Sequence, residues 1–118
     1  MKISIQGNKR FSDYGTFRKA MATVLYQLKL KEQKEIVVFS AGPQSITNMA
    51  KEFFNISEDS LRAYGVKHKI ILVPPKWIRE NLSELDELVY FASPREAVPQ
   101  ILEVADKKGY RTIVYHQQ

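Results

Sequence analysis

The stretch Ile36 to Ala50, IVVFSAGPQSITNMA, constrains this chain more than any other. Its strand-forming run Ile36 to Phe39 passes directly into the small, turn-prone residues Ser40-Ala41-Gly42-Pro43. The apolar spacing of Ile46, Met49, Ala50 and Phe53 then has the period of a helix. In an open α/β sheet such a loop lies at the carboxyl edge, where the N–H groups that begin a helix can hold an anion. The same residues also suit an ordinary strand-to-helix turn in which Pro43 starts the helix.

The rest of the chain repeats this alternation. Lys2 to Gln6 reads as a first strand ended by Gly7, and Ser12 or Asp13 can cap a helix whose Phe17, Met21, Val24, Leu25 and Leu28 share one face. The second helix should run to about Phe54 or Asn55, followed by a short helix between an N-cap at Ser57 and a stop at Gly65. Lys67 to Val73 is a third strand closed by Pro74-Pro75, with Trp77 standing alone as a packing residue and residues 78–84 as a polar or single helical turn. A fourth strand holds Leu88 to Phe91. A helix from about Glu96 to Lys108 carries Ala97, Ile101, Val104 and Ala105, with Pro99 in its first turn. Thr112 to Tyr115 is a fifth strand, and the last three residues are expected to fray.

Five strands alternating with helices predict an α/β fold: a Rossmann-like three-layer sandwich with a mostly parallel sheet of about five strands, forming one domain over residues 1–118. Right-handed crossovers bring the loops after strands one, two and four to one edge, so Gly7 to Phe11, Ser40 to Ser45 and Ala92 to Glu96 line one crevice. Within it Lys9 and Arg10 can meet an anion or remain solvated loop charges.

Composition narrows the function. The chain has no cysteine and only two histidines, which excludes disulfides and thiolate sites and disfavours a metal site; no metal and no cofactor is expected. No apolar run approaches the roughly 18 residues of a membrane span, and Met1 to Ile5 reads as a strand rather than a signal peptide, so a cytoplasmic location and no membrane partner are expected. A net charge of +5, from 18 basic and 13 acidic residues, favours polyanions. The excess is spread along the chain, with Lys29, Lys31 and Lys34 and Lys107, Lys108 and Arg111 near helix ends where cations complement the dipole, and no basic run is interleaved with aromatics, so nucleic acid is not the favoured partner.

Several segments together resemble the SLOG superfamily, which holds the LOG phosphoribohydrolases, the DprA/Smf proteins and the small YspA-like proteins. Gln6-Gly7-Asn8-Lys9-Arg10-Phe11-Ser12-Asp13-Tyr14 is similar to its "GSR-x-F-x-D-Y" opening, and Ser40 to Ala50 to its "SGGARGAD-x-LA" loop and helix. Val73-Pro74-Pro75-Lys76-Trp77 is similar to "IPADW", and Leu85 to Phe91 to "ADLVIAF". Ala41, Ser45 and Thr47 depart from the pattern, replacing two glycines and an acidic residue. Arg79 and Asn81 stand where a longer segment with an "RN" pair is usual. The LOG motif "PGGxGTxxE" is replaced by Ser93-Pro94-Arg95-Glu96-Ala97-Val98-Pro99.

The resemblance implies a small domain that binds a nucleotide or another phosphorylated small molecule and has lost catalysis. The phosphate is expected at Gly7, Asn8, Lys9, Arg10, Ser40, Ala41, Gly42, Pro43, Gln44, Ser45, Thr47, Arg79, Ser93 and Arg95. The hydroxyls of Ser40, Ser45 and Thr47 would donate and the cations would supply countercharge. If the chain is instead a LOG-type nucleotide phosphoribohydrolase, Glu96 is the expected catalytic carboxylate. A DprA-like nucleic-acid module and an interaction protein presenting Phe11, Tyr14, Tyr64 and Trp77 are the remaining alternatives. The resemblance also implies a homo-oligomer, a dimer or larger.

Overall fold

The computed structural model describes residues 1–29 and 32–117; Lys31 and the chain-terminal Gln118 lie outside them. Strands β1 (Lys2–Gly7), β2 (Glu35–Ser40), β3 (Lys67–Leu72), β4 (Glu87–Ala92) and β5 (Thr112–His116) are all parallel, in the order β3-β2-β1-β4-β5. Helices α1 (Tyr14–Gln27), α2 (Gln44–Ile56), α3 (Glu58–Ala63), α4 (Pro75–Glu80) and α5 (Gln100–Lys107) connect them, with a 3-10 turn over Leu82–Glu84.

The two sheet faces explain the strand sequences. Ile3, Ile5, Ile36, Val38, Val89 and Phe91 bury against α1, α2 and α3, and Leu88, Tyr90 and Ala92 pack with Ile78 of α4 and Ile101 and Ala105 of α5. Central strands covered on both faces need continuous apolar runs rather than alternation, as β2 and β4 have. Phe91 is the hub of the first face, its ring centroid 4.7 Å from Phe17 and 5.2 Å from Phe11. The chain winds outward from β1 through β2 to β3, then returns by α4 to place β4 on the other side of β1. The connections thus diverge between β1 and β4, the switch point of an open parallel sheet.

Local signals act as the sequence predicts at most ends. Asp13 caps α1, its Oδ1 accepting the Thr16 N–H at 3.0 Å. Gly65 ends the α3 segment with φ +70°, a conformation costly for any residue with a Cβ. Lys107 and Lys108 lie at the end of α5, whereas Lys29 lies past the end of α1.

Four expectations are corrected. The helical turn expected over residues 78–84 begins earlier, with Pro74 at the N-cap position of α4 and Pro75 at its first position, so that Trp77 lies within the helix and packs as expected, stacking on Phe39 with ring centroids 4.5 Å apart. The last helix starts at Gln100, not Glu96, because Pro99 is its N-cap and residues 93–99 form a loop held by side chains. His116 belongs to β5 and Gln117 is tied to the body, its N–H donating to the Ala92 carbonyl and its Oε1 accepting from the Ser12 N–H, so neither frays. Phe11 is fully buried, and Tyr14 and Trp77 are half-buried, so only Tyr64 of that quartet is a surface aromatic. Tyr26 is more exposed still, at 84%.

Candidate functional site

The three exit loops do meet at the carboxyl edge. The Gly7 N–H donates to the Gly42 carbonyl at 3.0 Å, the Ala41 N–H to the Ile5 carbonyl at 3.0 Å, and the Asn8 N–H to the Phe91 carbonyl at 2.9 Å. Their approach is close enough to require Gly7: a Cβ there would stand 2.9 Å from Cγ1 and Cδ1 of Ile46 and 3.0 Å from the Phe91 carbonyl oxygen. Gly42, at φ +83°, begins the cis peptide to Pro43.

Ser40 and Thr47 brace this loop from beneath. They are 1% and 2% exposed, their hydroxyls lie 2.7 Å apart, and Ser40 Oγ accepts from the Gly42 N–H at 3.3 Å. These two hydroxyls are spent on one another and on the backbone instead of facing a ligand.

The start of α2 is different. Pro43 offers no side-chain cap, and the N–H groups of Ile46 and Thr47 both donate to its carbonyl. The N–H groups of Gln44 and Ser45 have no acceptor among the described residues. Ser45 Oγ is buried without a partner as well, as is Oε1 of Gln6, whose Cα is the register partner of Tyr90. Buried polar atoms without partners are uncommon and call for an explanation.

On the β4 side a carboxylate occupies the donors. Glu96 Oε1 accepts the Ser93 N–H at 2.9 Å, and its Oε2 accepts from Asn8 Nδ2 at 3.0 Å and from the Tyr90 hydroxyl at 2.9 Å. Asn8 is itself oriented, because its Oδ1 accepts the Arg10 N–H at 2.8 Å. Burial, then the hydrogen bond to Glu96 and its charge, push the Tyr90 phenol far above its ordinary pKa, so it stays a donor. Arg95, just before Glu96, adopts φ +64°.

The predicted residues therefore divide. Gly7, Asn8, Ala41, Gly42, Pro43, Gln44, Ser45, Ser93 and Glu96 belong to the three gathered loops, with Lys9, Arg10 and Arg95 exposed beside them and in no ion pair among the described residues. Among the described residues no hydrogen bond links Arg79 to these loops; it sits on α4, and its carbonyl accepts from Lys108 Nζ, past the end of α5, at 3.2 Å. Tyr90 was not foreseen; its signal was a hydroxyl-bearing ring near the end of an otherwise apolar strand. Among the described residues no group of three His, Asp or Glu could hold a metal, and no helix is long and apolar enough to cross a membrane.

Fold and site together define a Rossmann-like α/β domain whose exit loops are gathered at the switch point of an all-parallel sheet. No protein-family model, curated protein or solved structure matches the chain.

Proposed function

We propose that this chain is a SLOG-like cytoplasmic module that binds a nucleotide or nucleotide-derived ligand in the crevice, as a sensor or sequestering protein rather than an enzyme. The observation that carries this reading is the open start of α2: two unpartnered N–H groups and a buried, partnerless Ser45 hydroxyl at the switch point. A phosphate would be held there by backbone donors, aided by the positive end of the helix dipole. Lys9, Arg10 and Arg95 supply countercharge from the rim.

The test is calorimetric titration with the mono-, di- and triphosphates of adenosine, guanosine, cytidine and uridine, alongside native mass spectrometry of the protein as purified. Saturable binding by at least one of them, lost in Gly42→Val with the circular dichroism of the fold retained, is the expected result. Apo protein that ignores the whole panel at millimolar concentration overturns it.

One observation favours a second reading, a LOG-type phosphoribohydrolase. Glu96 lies among the gathered exit loops with its carboxylate fixed by three donors, and a fixed carboxylate is what acid–base chemistry on a glycosidic bond requires. Release of free base from nucleoside monophosphates, abolished in Glu96→Gln, separates this reading from the first.

A further inference from the structure

The three groups around Glu96 are all donors, and they come from three separate places: the amide of Asn8 from the β1 exit, the phenol of Tyr90 from within β4, and the Ser93 N–H from the β4 exit. The Ser93 N–H is a local partner, three residues before Glu96, whereas Asn8 lies 88 positions away and brings the β1 exit to the same carboxylate. Together they form a cup for an oxyanion, because a carboxylate or phosphate oxygen can take two donors while its neighbour takes a third. The Asn8 amide is locked in the donating orientation by the Arg10 N–H on its other end. The Tyr90 phenol is kept protonated by burial and by the charge it faces.

The segment that delivers Glu96 to the cup is held there under strain. Arg95 carries a Cβ yet adopts φ +64°, a region that favours glycine, and Pro94, Arg95, Ala97 and Val98 are exposed and pack little. Residues 93–99 form no helix although the helical spacing extends back to Ala97. Among the described residues, Glu96 is the one in the segment whose side chain makes hydrogen bonds to the body. Lys9, Arg10 and Arg95, in the same exit loops, are exposed and in no ion pair among the described residues.

We propose that Glu96 is a built-in competitor for the acidic group of the ligand: a carboxylate or phosphate monoester takes the donors of Asn8, Tyr90 and Ser93, turns Glu96 out, and frees the loop from Pro94 to Pro99. This rests on the reading that the crevice takes an anionic ligand, and it makes ligand entry and loop release one event. Glu96 then opposes binding, the reverse of what it would do as a catalytic base or as a contact to ligand hydroxyls.

The experiment uses acetate, inorganic phosphate and adenosine monophosphate as probes, read by thermal melting of the full chain, with sodium chloride at matched ionic strength as control. In Glu96→Ala the vacated cup should bind at least one of these probes about tenfold more tightly than the wild type does, seen as a saturable rise in melting temperature. Adding Asn8→Ala and Tyr90→Phe to Glu96→Ala should abolish that rise. Acetate and phosphate read the cup itself, so a response to them with none to any nucleotide retains the competitor and removes the nucleotide reading. A Glu96→Ala protein that responds to all three no more than the wild type, or a response that survives loss of Asn8 and Tyr90, overturns the proposal. If Glu96→Ala does not fold, Glu96→Gln reads the same difference, since its amide NH2 faces donors in place of a carboxylate oxygen. Saturating probe should also speed tryptic cleavage after Arg95 in the wild type, because the released loop is a better protease substrate, while the Ser93 amide stays protected by the probe that replaces Glu96; unchanged cleavage on saturation counts equally against it.

Discussion

The side-chain amide of Asn8 donates to Oε2 of Glu96 across 3.0 Å, joining residues 88 positions apart at the one place where the crossovers of the sheet diverge. With the Tyr90 hydroxyl on the same oxygen, this bond fastens the β4 exit loop to the β1 exit. Removing one donor leaves a partly buried carboxylate short of a partner. Asn8→Ala and Tyr90→Phe are each expected to cost about 1–3 kcal/mol in urea unfolding. Either substitution should cost clearly less in a Glu96→Ala background, since the partner is already gone. Additive costs in that double-mutant cycle would mean that the three groups do not act together.

Gly7 is required by space, not by backbone angle. Its absent Cβ would meet the Ile46 side chain and the Phe91 carbonyl at about van der Waals overlap, so Gly7→Ala should destabilise by about 1–3 kcal/mol. Ile46→Val removes one of the opposing carbons and should recover part of the loss. A Gly7→Ala protein as stable as the wild type would show that α2 can move away from β1, and the close approach of the exit loops would then not be rigid.

Glu87 gives the stability a pH signature. Burial at the start of β4 raises its pKa in the folded state, against smaller opposing effects from the Leu88 backbone and Arg111. A carboxyl with a raised folded pKa stabilises the fold only while protonated; that contribution is complete below its unfolded pKa and is lost as pH rises through the folded value. At neutral pH the ionised group is therefore a penalty. Glu87→Gln should melt above the wild type at pH 7, and the gap should close on acidification toward pH 4. A gap that stays constant over that range would assign the effect to packing instead of ionisation.

Much of the architecture was legible in the sequence because it depends on local periodicity. The apolar runs of β2 and β4, the helical spacing of Ile46, Ala50 and Phe53, the Asp13 cap and the Gly65 stop are all set within a few residues, and each reappears in the structure. Where local signals conflicted, tertiary contacts won. The spacing that ran the last helix back to Ala97 lost to Pro99 and to the bonds of Glu96. The exposed reading of Phe11 lost to its place against Phe91.

The sequence by itself determined that parallel strands alternate with helices and that Gly7 to Phe11, Ser40 to Ser45 and Ala92 to Glu96 share an edge, because strand period, helix period and right-handed crossovers leave little else for this pattern. Only the tertiary structure decided which polar groups at that edge are spent and which are open. Ser40 and Thr47 are consumed by each other, Glu96 by Asn8, Tyr90 and Ser93, while Ser45 Oγ and the first N–H groups of α2 have no partners among the described residues. The Asn8–Glu96 bond joins residues 88 positions apart, and the shorter-range ones link a strand to the loop or helix that follows it, so all depend on ångström placement of whole elements, which no spacing along a single strand or helix encodes.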